Sequence, residues 1–259
     1  MISKSNKIFL AGHNGMVGSA ILKKLKNLGY KNIICVSKKK LNLLDQKKVE
    51  SFLKKKKPKV VIIAAARVGG ILANNNNKAN FLYENLTIQT NIIHGSFLAG
   101  VKNLIFLGSS CIYPKKTKQP IKESFFMTGP LENTNDAYAI AKITGVKMCM
   151  EYSKQYKLNY KTLMPANMFG ANDNYDLSSS HFFPALIRKI HNAKIRKKKF
   201  ITLWGNGKPK RELLYVEDFA DACVFFMRKK TKESFLNIGS GIEKTIKGFA
   251  QYIMKRLNV

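Results

Sequence analysis

Tyr138 and Lys142 stand four apart in a segment of helical pattern, Asp136 to Tyr156, which puts a phenol and an ammonium on one face. A phenol normally titrates near ~10, and a cation beside it would draw that value down, so the pair reads as a proton donor to a carbonyl. Upstream, Ser109-Ser110-Cys111 follows the apolar run Leu104-Ile105-Phe106-Leu107-Gly108, which reads as a buried strand. Ser109 and Cys111 therefore fall at a strand's carboxyl end, where open α/β sheets bind their ligands.

Such a site needs elements to hold it. A short strand, Lys7 to Ala11, runs into Gly12-His13-Asn14-Gly15-Met16-Val17-Gly18 and a helix that Gly29 stops. Glycines at that spacing, between strand and helix, let the backbone approach a pyrophosphate that the helix N-terminus then stabilises. A tight structural turn is the alternative. A second strand, Asn32 to Ser37, ends in Lys38-Lys39-Lys40, where an NAD-binding chain would place an acid. The cations favour the extra phosphate of NADP, with Lys38 the best placed. A third strand, Lys59 to Ala65, leads into a small-residue loop over the crevice, and Asn74 to Asn77 reads as a polar loop tip.

A helix from Lys78 to Ala99, the strand ending at Ser109, the helix capped by Asp136 and a strand from Tyr160 to Met164 follow. Alternation at this spacing predicts an α/β fold with a Rossmann-type doubly wound parallel sheet. Beyond Gly170 the rhythm breaks into a polar loop (172–180), a helix from His181 to Asn192 and a strand from Phe200 to Trp204. Leu213 to Tyr215 and a helix Val216 to Met227 are expected to return to the main sheet, followed by a strand Phe235 to Ile238 and one helix to Val259. The expected domains are 1–170, rejoined by 212–238, for the dinucleotide, and 171–211 with 239–259 as a smaller, incomplete substrate region.

Composition narrows the function class. The 259 residues carry 46 basic and 15 acidic side chains, a net charge of +31, which by itself suggests a polyanion partner. Yet only Arg67, Arg188, Arg196, Arg211, Arg228 and Arg256 are arginines. Nucleic-acid readers rely on arginine forks, so a lysine-biased solvated surface is the better reading and no specific nucleic acid is expected. Cys35, Cys111, Cys149 and Cys223 are too scattered for a disulfide framework or a metal site. The first residues lack a signal-peptide core and no run of 18 apolar residues occurs, so the expected setting is cytoplasmic, without membrane contact.

In order, the glycine loop, Ser109 and the Tyr138/Lys142 pair resemble the extended short-chain dehydrogenase/reductase superfamily. Longer strings narrow the resemblance to the GDP-L-fucose synthases: Ala11 to Ser19, Val68 to Asn75, Leu107 to Pro114, Asp136 to Lys142, Ser180-His181, and Trp204-Gly205-Asn206-Gly207 with Arg211-Glu212. The resemblance implies an NADP(H) cofactor, a GDP-linked 4-keto-6-deoxy sugar as substrate, and a homodimer built on helices 78–99 and 136–157. It casts Cys111 as base and His181 as acid for epimerisation at C3 and C5. It casts Tyr138 as proton donor, Ser109 as hydrogen-bond partner and Lys142 as ribose contact for reduction at C4. Pro165 to Met168 would line the nicotinamide side, Leu107, Gly108, Ser109, Ser110 and His181 would be further cofactor contacts, and Lys189, Trp204 and Arg211 would contact the GDP part. Three departures stand out: Asn14 and Lys189 where arginines are usual, and an end at Val259, short of further substrate-domain elements. The alternatives are another NAD-dependent nucleotide-sugar epimerase or dehydratase, and an inactive NADP-binding or nucleic-acid-binding module.

Overall fold

Successive residues of the first strand face opposite sides of a sheet, yet all four are buried, which requires cover on both faces. The computed structural model describes residues 2–203, 205–229 and 231–259. In chain order its elements are β1 (Ile8–Ala11), α1 (Met16–Asn27), β2 (Ile33–Ile34), α2 (Gln46–Lys56), β3 (Val60–Ile63), α3 (Ile71–Asn76), α4 (Lys78–Leu98) and β4 (Asn103–Leu107). Then come α5 (Asp136–Tyr156), β5 (Asn159–Pro165), β6 (Asn167–Phe169), α6 (Phe182–Ile195), β7 (Lys210–Tyr215), α7 (Val216–Arg228), β8 (Phe235–Ile238), β9 (Glu243–Thr245) and α8 (Ile246–Leu257).

Six strands form one parallel sheet in the order β2-β1-β3-β4-β5-β8, a Rossmann-type doubly wound arrangement as the alternation predicts. The two faces carry separate cores. Ile8, Leu10, Val60, Ile62 and Ile105 point to one side, where Ile21 and Leu25 of α1 and Phe219 and Val224 of α7 close over them. Phe9, Val61, Ile63 and Phe106 point to the other, against Val49 and Leu53 of α2, Ile92 of α4 and Val146 of α5. A third, smaller cluster joins Leu186 and Ile190 of α6 to Phe249 and Ile253 of α8.

Several expectations need correction. The second strand shrinks to Ile33–Ile34, because only these pair with β1 before the polar, lysine-rich stretch begins. Asp136 does not cap α5; Asn135 precedes the helix without a side-chain cap, and Asp136 lies in the first turn, paired with Lys78 at 3.0 Å. Residues 200–203 form no strand, and Trp204 lies outside the described residues. Leu213 to Tyr215 does not rejoin the main sheet. It belongs to β7, which pairs with β6 and β9 in a separate three-stranded sheet. The place beside β5 is taken by β8, whose register with it runs as far as Pro165 and Ile238. Two residues later the chain pairs with β7 instead. Helix α7 does return to the main sheet, and the final segment holds β9 before its helix. Among the described residues no helix is long and apolar enough to cross a membrane.

One charge lies deep in this frame. Lys161, in the middle of β5, is 2% exposed, and its Nζ donates to the carbonyls of Phe226 (3.1 Å) and Lys229 at the end of α7. Both carbonyls lie at the carboxyl end of α7, in its last turn and at its cap residue, so the ammonium acts as a cap supplied by the sheet. Burial holds its pKa below the ordinary lysine value. Lys161→Met, which leaves those carbonyls without a donor, should lower the unfolding free energy in urea by roughly 2 kcal/mol. The folded state releases this proton before the unfolded chain does, so wild-type stability should rise relative to the variant as pH climbs towards 10.5. A gap that stays constant with pH would dismiss the buried charge as its source.

Candidate active site

Where β1 ends, the main chain passes within contact of β3 and then doubles back under α1. A methyl on Gly12 would meet Ala65 N at 2.5 Å, and one on Gly18 would meet Gly12 O at 2.1 Å. Gly12 also has φ +86°, a left-handed conformation that favours glycine. Gly15 serves a different purpose: it starts α1 with no side-chain cap, and its open side has nothing nearer than 3.7 Å. The first turn of α1 thus presents its N–H groups to an open crevice of about 690 Å³ that runs along the carboxyl ends of the strands.

This crevice gathers most of the residues singled out from the sequence. Gly12, His13, Asn14, Gly15, Met16, Val17, Gly18, Lys38, Gly108, Ser109, Ser110, Tyr138, Pro165, Ala166, Asn167, Met168 and His181 all line it. Leu107, Cys111 and Lys142 stand behind its wall. Lys189 and Arg211 are elsewhere: Lys189 borders a separate depression with Lys198 and Phe200, and the Arg211 guanidinium donates to the Lys210 carbonyl at 2.8 Å.

Behind the wall the side chains form one buried cluster. Lys142 Nζ donates to the Leu107 carbonyl at 2.8 Å and lies 4.7 Å from the Phe106 ring centroid and 5.7 Å from that of Tyr138. Ser109 opens a short 3-10 turn, its Oγ accepting the Cys111 N–H at 3.4 Å. The expected lowering of the phenol does not occur. Burial raises the Tyr138 pKa well above its ordinary value and the Cys111 sulfur adds to this, while Ser109 opposes them. Lys142 spends its hydrogen bond on the backbone, and burial lowers its own pKa to about 8. Burial likewise pushes the Cys111 thiol up to about 11, against the hydrogen bond from Ser109 and the charge of Lys142. His181 keeps an exposed edge, yet the protein around it lowers its pKa, with Asp173 pulling the other way. The resting site therefore holds its phenol and thiol protonated.

Three features escaped the sequence reading. Arg67 and Glu84 form an ion pair on the crevice wall. Asn85, 2% exposed, clamps the Arg67 backbone from both sides, accepting its N–H at 2.9 Å and donating to its carbonyl at 3.0 Å. Arg67 in turn covers the Phe81 ring, which meets Tyr138 edge-on. Asn85 and Gln89, one turn apart and both buried in α4, were the available signal: amides spaced for the apolar face of a helix. Asp173 and Ser179 also line the crevice and carried no signal of their own, beside Ser180 of the Ser180-His181 string. Among the described residues no cluster of His, Cys, Asp or Glu could hold a metal ion.

A doubly wound sheet with a glycine-bounded crevice and a Ser/Tyr/Lys group at one strand end defines a nucleotide-binding enzyme of the dehydrogenase/epimerase class. Residues 8–239 match the NAD dependent epimerase/dehydratase family. The GDP-L-fucose synthase of Sinorhizobium fredii is 50% identical over 96% of this chain and 79% of its own length. Among solved structures, the GDP-mannoheptose C4 reductase of Campylobacter jejuni with NADP bound superposes with a TM-score of 0.91 at 35% identity, covering all of this chain and 86% of that one. A GDP-L-fucose synthetase from Naegleria fowleri bound to NADP gives a TM-score of 0.89 at 28% identity, over all of this chain and 79% of that one. The chain belongs to the NAD dependent epimerase/dehydratase family and, within it, to the group that contains the GDP-L-fucose synthases.

The electrostatics of the cluster have a direct readout. With its thiol raised to about 11, Cys111 should be alkylated by iodoacetamide at a rate that climbs about tenfold per pH unit between roughly pH 7 and 10. Peptide mass spectrometry separates it from Cys35, Cys149 and Cys223. A rate already level by neutral pH would mean a stabilised thiolate and a different balance of burial and charge.

Proposed function

We propose that this chain binds NADP(H) in the crevice and converts GDP-4-keto-6-deoxy-D-mannose to GDP-L-fucose, inverting C3 and C5 and reducing C4. The observation that carries this reading is the single cluster of Ser109, Cys111, Tyr138 and Lys142 set against the glycine-bounded crevice, with His181 on the same crevice. Cys111 and His181 supply the base and acid that a simple reductase would not need. The crevice also fits the cofactor: an uncapped helix N-terminus suits a pyrophosphate, Gly15 leaves room for it, and Lys38 brings a cation without an opposing acid in its own strand-end segment. The names of the relatives support both the GDP-sugar and the NADP assignments.

The roles follow from the cluster's chemistry. The 4-keto group acidifies the hydrogens at C3 and C5. Cys111, once ionised, is a strong base because its thiol value is high; it takes the proton, and the bonding pair moves into an enolate at the C4 oxygen. Ser109 and Tyr138 hold that oxygen by hydrogen bonds. His181 in its protonated form returns a proton to the opposite face; the new C–H bond restores the carbonyl and leaves neutral imidazole. NADPH, when bound, supplies the hydride that reduces C4. Tyr138 delivers its proton to the C4 oxygen, a task for which a phenol that holds its proton is suited, and Lys142 stabilises the resulting phenolate.

Residues 171–211 and 239–259 carry the sugar nucleotide in this reading, with Lys189, Trp204 and Arg211 on the GDP part and a lysine's point charge in place of bidentate phosphate contact. A homodimer through α4 and α5 belongs to the same reading, and the exposed Tyr83, Leu98, Ile140 and Tyr156 on those helices supply apolar area for it.

Purified protein given NADPH and GDP-4-keto-6-deoxy-D-mannose should oxidise NADPH and yield GDP-L-fucose. Cys111→Ser should abolish inversion while uninverted ketone is still reduced; equal loss of both would refute separate roles for the two halves of the cluster. Lys38→Ala should cut the preference for NADPH over NADH about tenfold, the size of one charge-assisted phosphate contact. No change in that ratio would remove Lys38 from the cofactor site.

A further inference from the structure

His181 lies on the crevice at the start of α6, where its carbonyl accepts the Ala185 N–H at 3.1 Å while its side chain takes no part in capping. It follows an exposed polar loop. What holds that loop comes from across the crevice mouth. The Gly70 N–H donates to the Ser179 carbonyl at 2.8 Å, and Gly69, Ser179, Ser180 and His181 line the crevice on either side of the junction. The approach is close enough to exclude any side chain: a methyl on Gly70 would lie 2.1 Å from the Ser180 carbonyl oxygen, a main-chain atom that cannot swing aside. Gly70 has φ −70°, so this is a constraint of space and not of backbone conformation.

Both ends of the junction are stiffened. On one side, Asn74 Nδ2 donates to the carbonyls of Gly69 (2.7 Å) and Gly70 (3.1 Å). On the other, the Asp176 carboxylate accepts the N–H groups of Ser178 (3.0 Å) and Ser179 (3.1 Å) and the hydroxyls of both serines. The Asp176 carbonyl accepts the Ser180 N–H at 2.8 Å. Ser180 Oγ is buried without a partner one residue before the histidine.

Resting on the function proposed above, we propose that Gly70 and the Asp176–Ser180 turn form a strap across the crevice mouth that positions His181 for returning the proton during epimerisation. Gly70 and Asp176 are positioning residues: neither touches the reacting atoms, and each acts by fixing the main chain that carries the imidazole. The strap separates the two halves of the reaction. Proton return at C3 and C5 depends on it, whereas reduction at C4 runs from Ser109, Tyr138 and Lys142, which are anchored on β4 and α5.

The test follows GDP-4-keto-6-deoxy-D-mannose in deuterium oxide, reading inversion and deuterium at C3 and C5 by NMR and NADPH oxidation by absorbance. Gly70→Ala should lose inversion at least tenfold while C4 reduction of uninverted ketone and the KM for NADPH stay within about twofold. Asp176→Ala should show the same split, and Asp176→Asn, which keeps an accepting oxygen, should restore most of the inversion. Should Gly70→Ala fail to fold, the two Asp176 variants decide alone. Inversion within twofold of wild type in the folded variants, or equal loss of inversion and reduction, overturns the strap. Absence of any exchange in the wild-type protein overturns the parent reading and the strap's role with it, whereas wild-type inversion that the variants retain overturns only the strap.

Discussion

The candidate site depends on one hydrogen bond, from the Lys142 ammonium to the Leu107 carbonyl. Lys142 is 4% exposed, and a charge at that depth is tolerated only if something answers it. The carbonyl at the end of β4 does so, with the faces of Phe106 and Tyr138 beside it. The bond therefore ties α5 to the strand whose next residues carry Ser109 and Cys111. Gly145, one turn along from Ala141, lets α5 sit this close, since a methyl there would meet the Phe106 ring at 2.5 Å. Gln89 of α4 reinforces the contact by donating to the Ala141 carbonyl, next to Lys142 in sequence. Three elements thus meet at one buried ammonium, and the phenol, hydroxyl and thiol take their places from it.

Burial also explains why proximity alone misjudges the chemistry. Reading Tyr138 and Lys142 as neighbours on one helix face predicts a depressed phenol. Once both are enclosed, loss of solvent dominates: the charged form of each group is disfavoured, the phenol rises and the lysine falls. Sequence spacing reports which groups are near one another, but not how much water is left between them.

How legible the rest was depended on whether the signal was local. The strands β1, β3, β4 and β5, the glycine loop and the helix carrying Tyr138 announce themselves by periodicity and spacing, and they fold as read. Elements that depend on a distant partner were harder. β7 looks like a core strand because Leu213, Leu214 and Tyr215 are apolar, but its partners, β6 and β9, lie some thirty or more residues away on either side, and the place beside β5 goes to β8. The Arg67–Glu84 pair and the contact between Gly70 and Ser179 join segments distant in sequence, and no window short enough to show a period contains both ends. The charge balance, prominent in the composition, says little about the site: cations at Lys23, Lys24, Lys147 and Lys210 pair with acids at the surface, where such pairs contribute little.

The exchange of sheets at Pro165 has a mechanical side. Residues 165–168 finish the main sheet, border the crevice and begin the small sheet, all within four consecutive positions. No slack loop intervenes, and the Ala166 N–H is itself bonded to the Ile238 carbonyl at 2.9 Å. The small sheet is joined to the main body at two further places, where β7 runs directly into α7 and where β8 leads to β9, so the crevice lining is one of three main-chain passages that hold the layer of α6 and α8 in place.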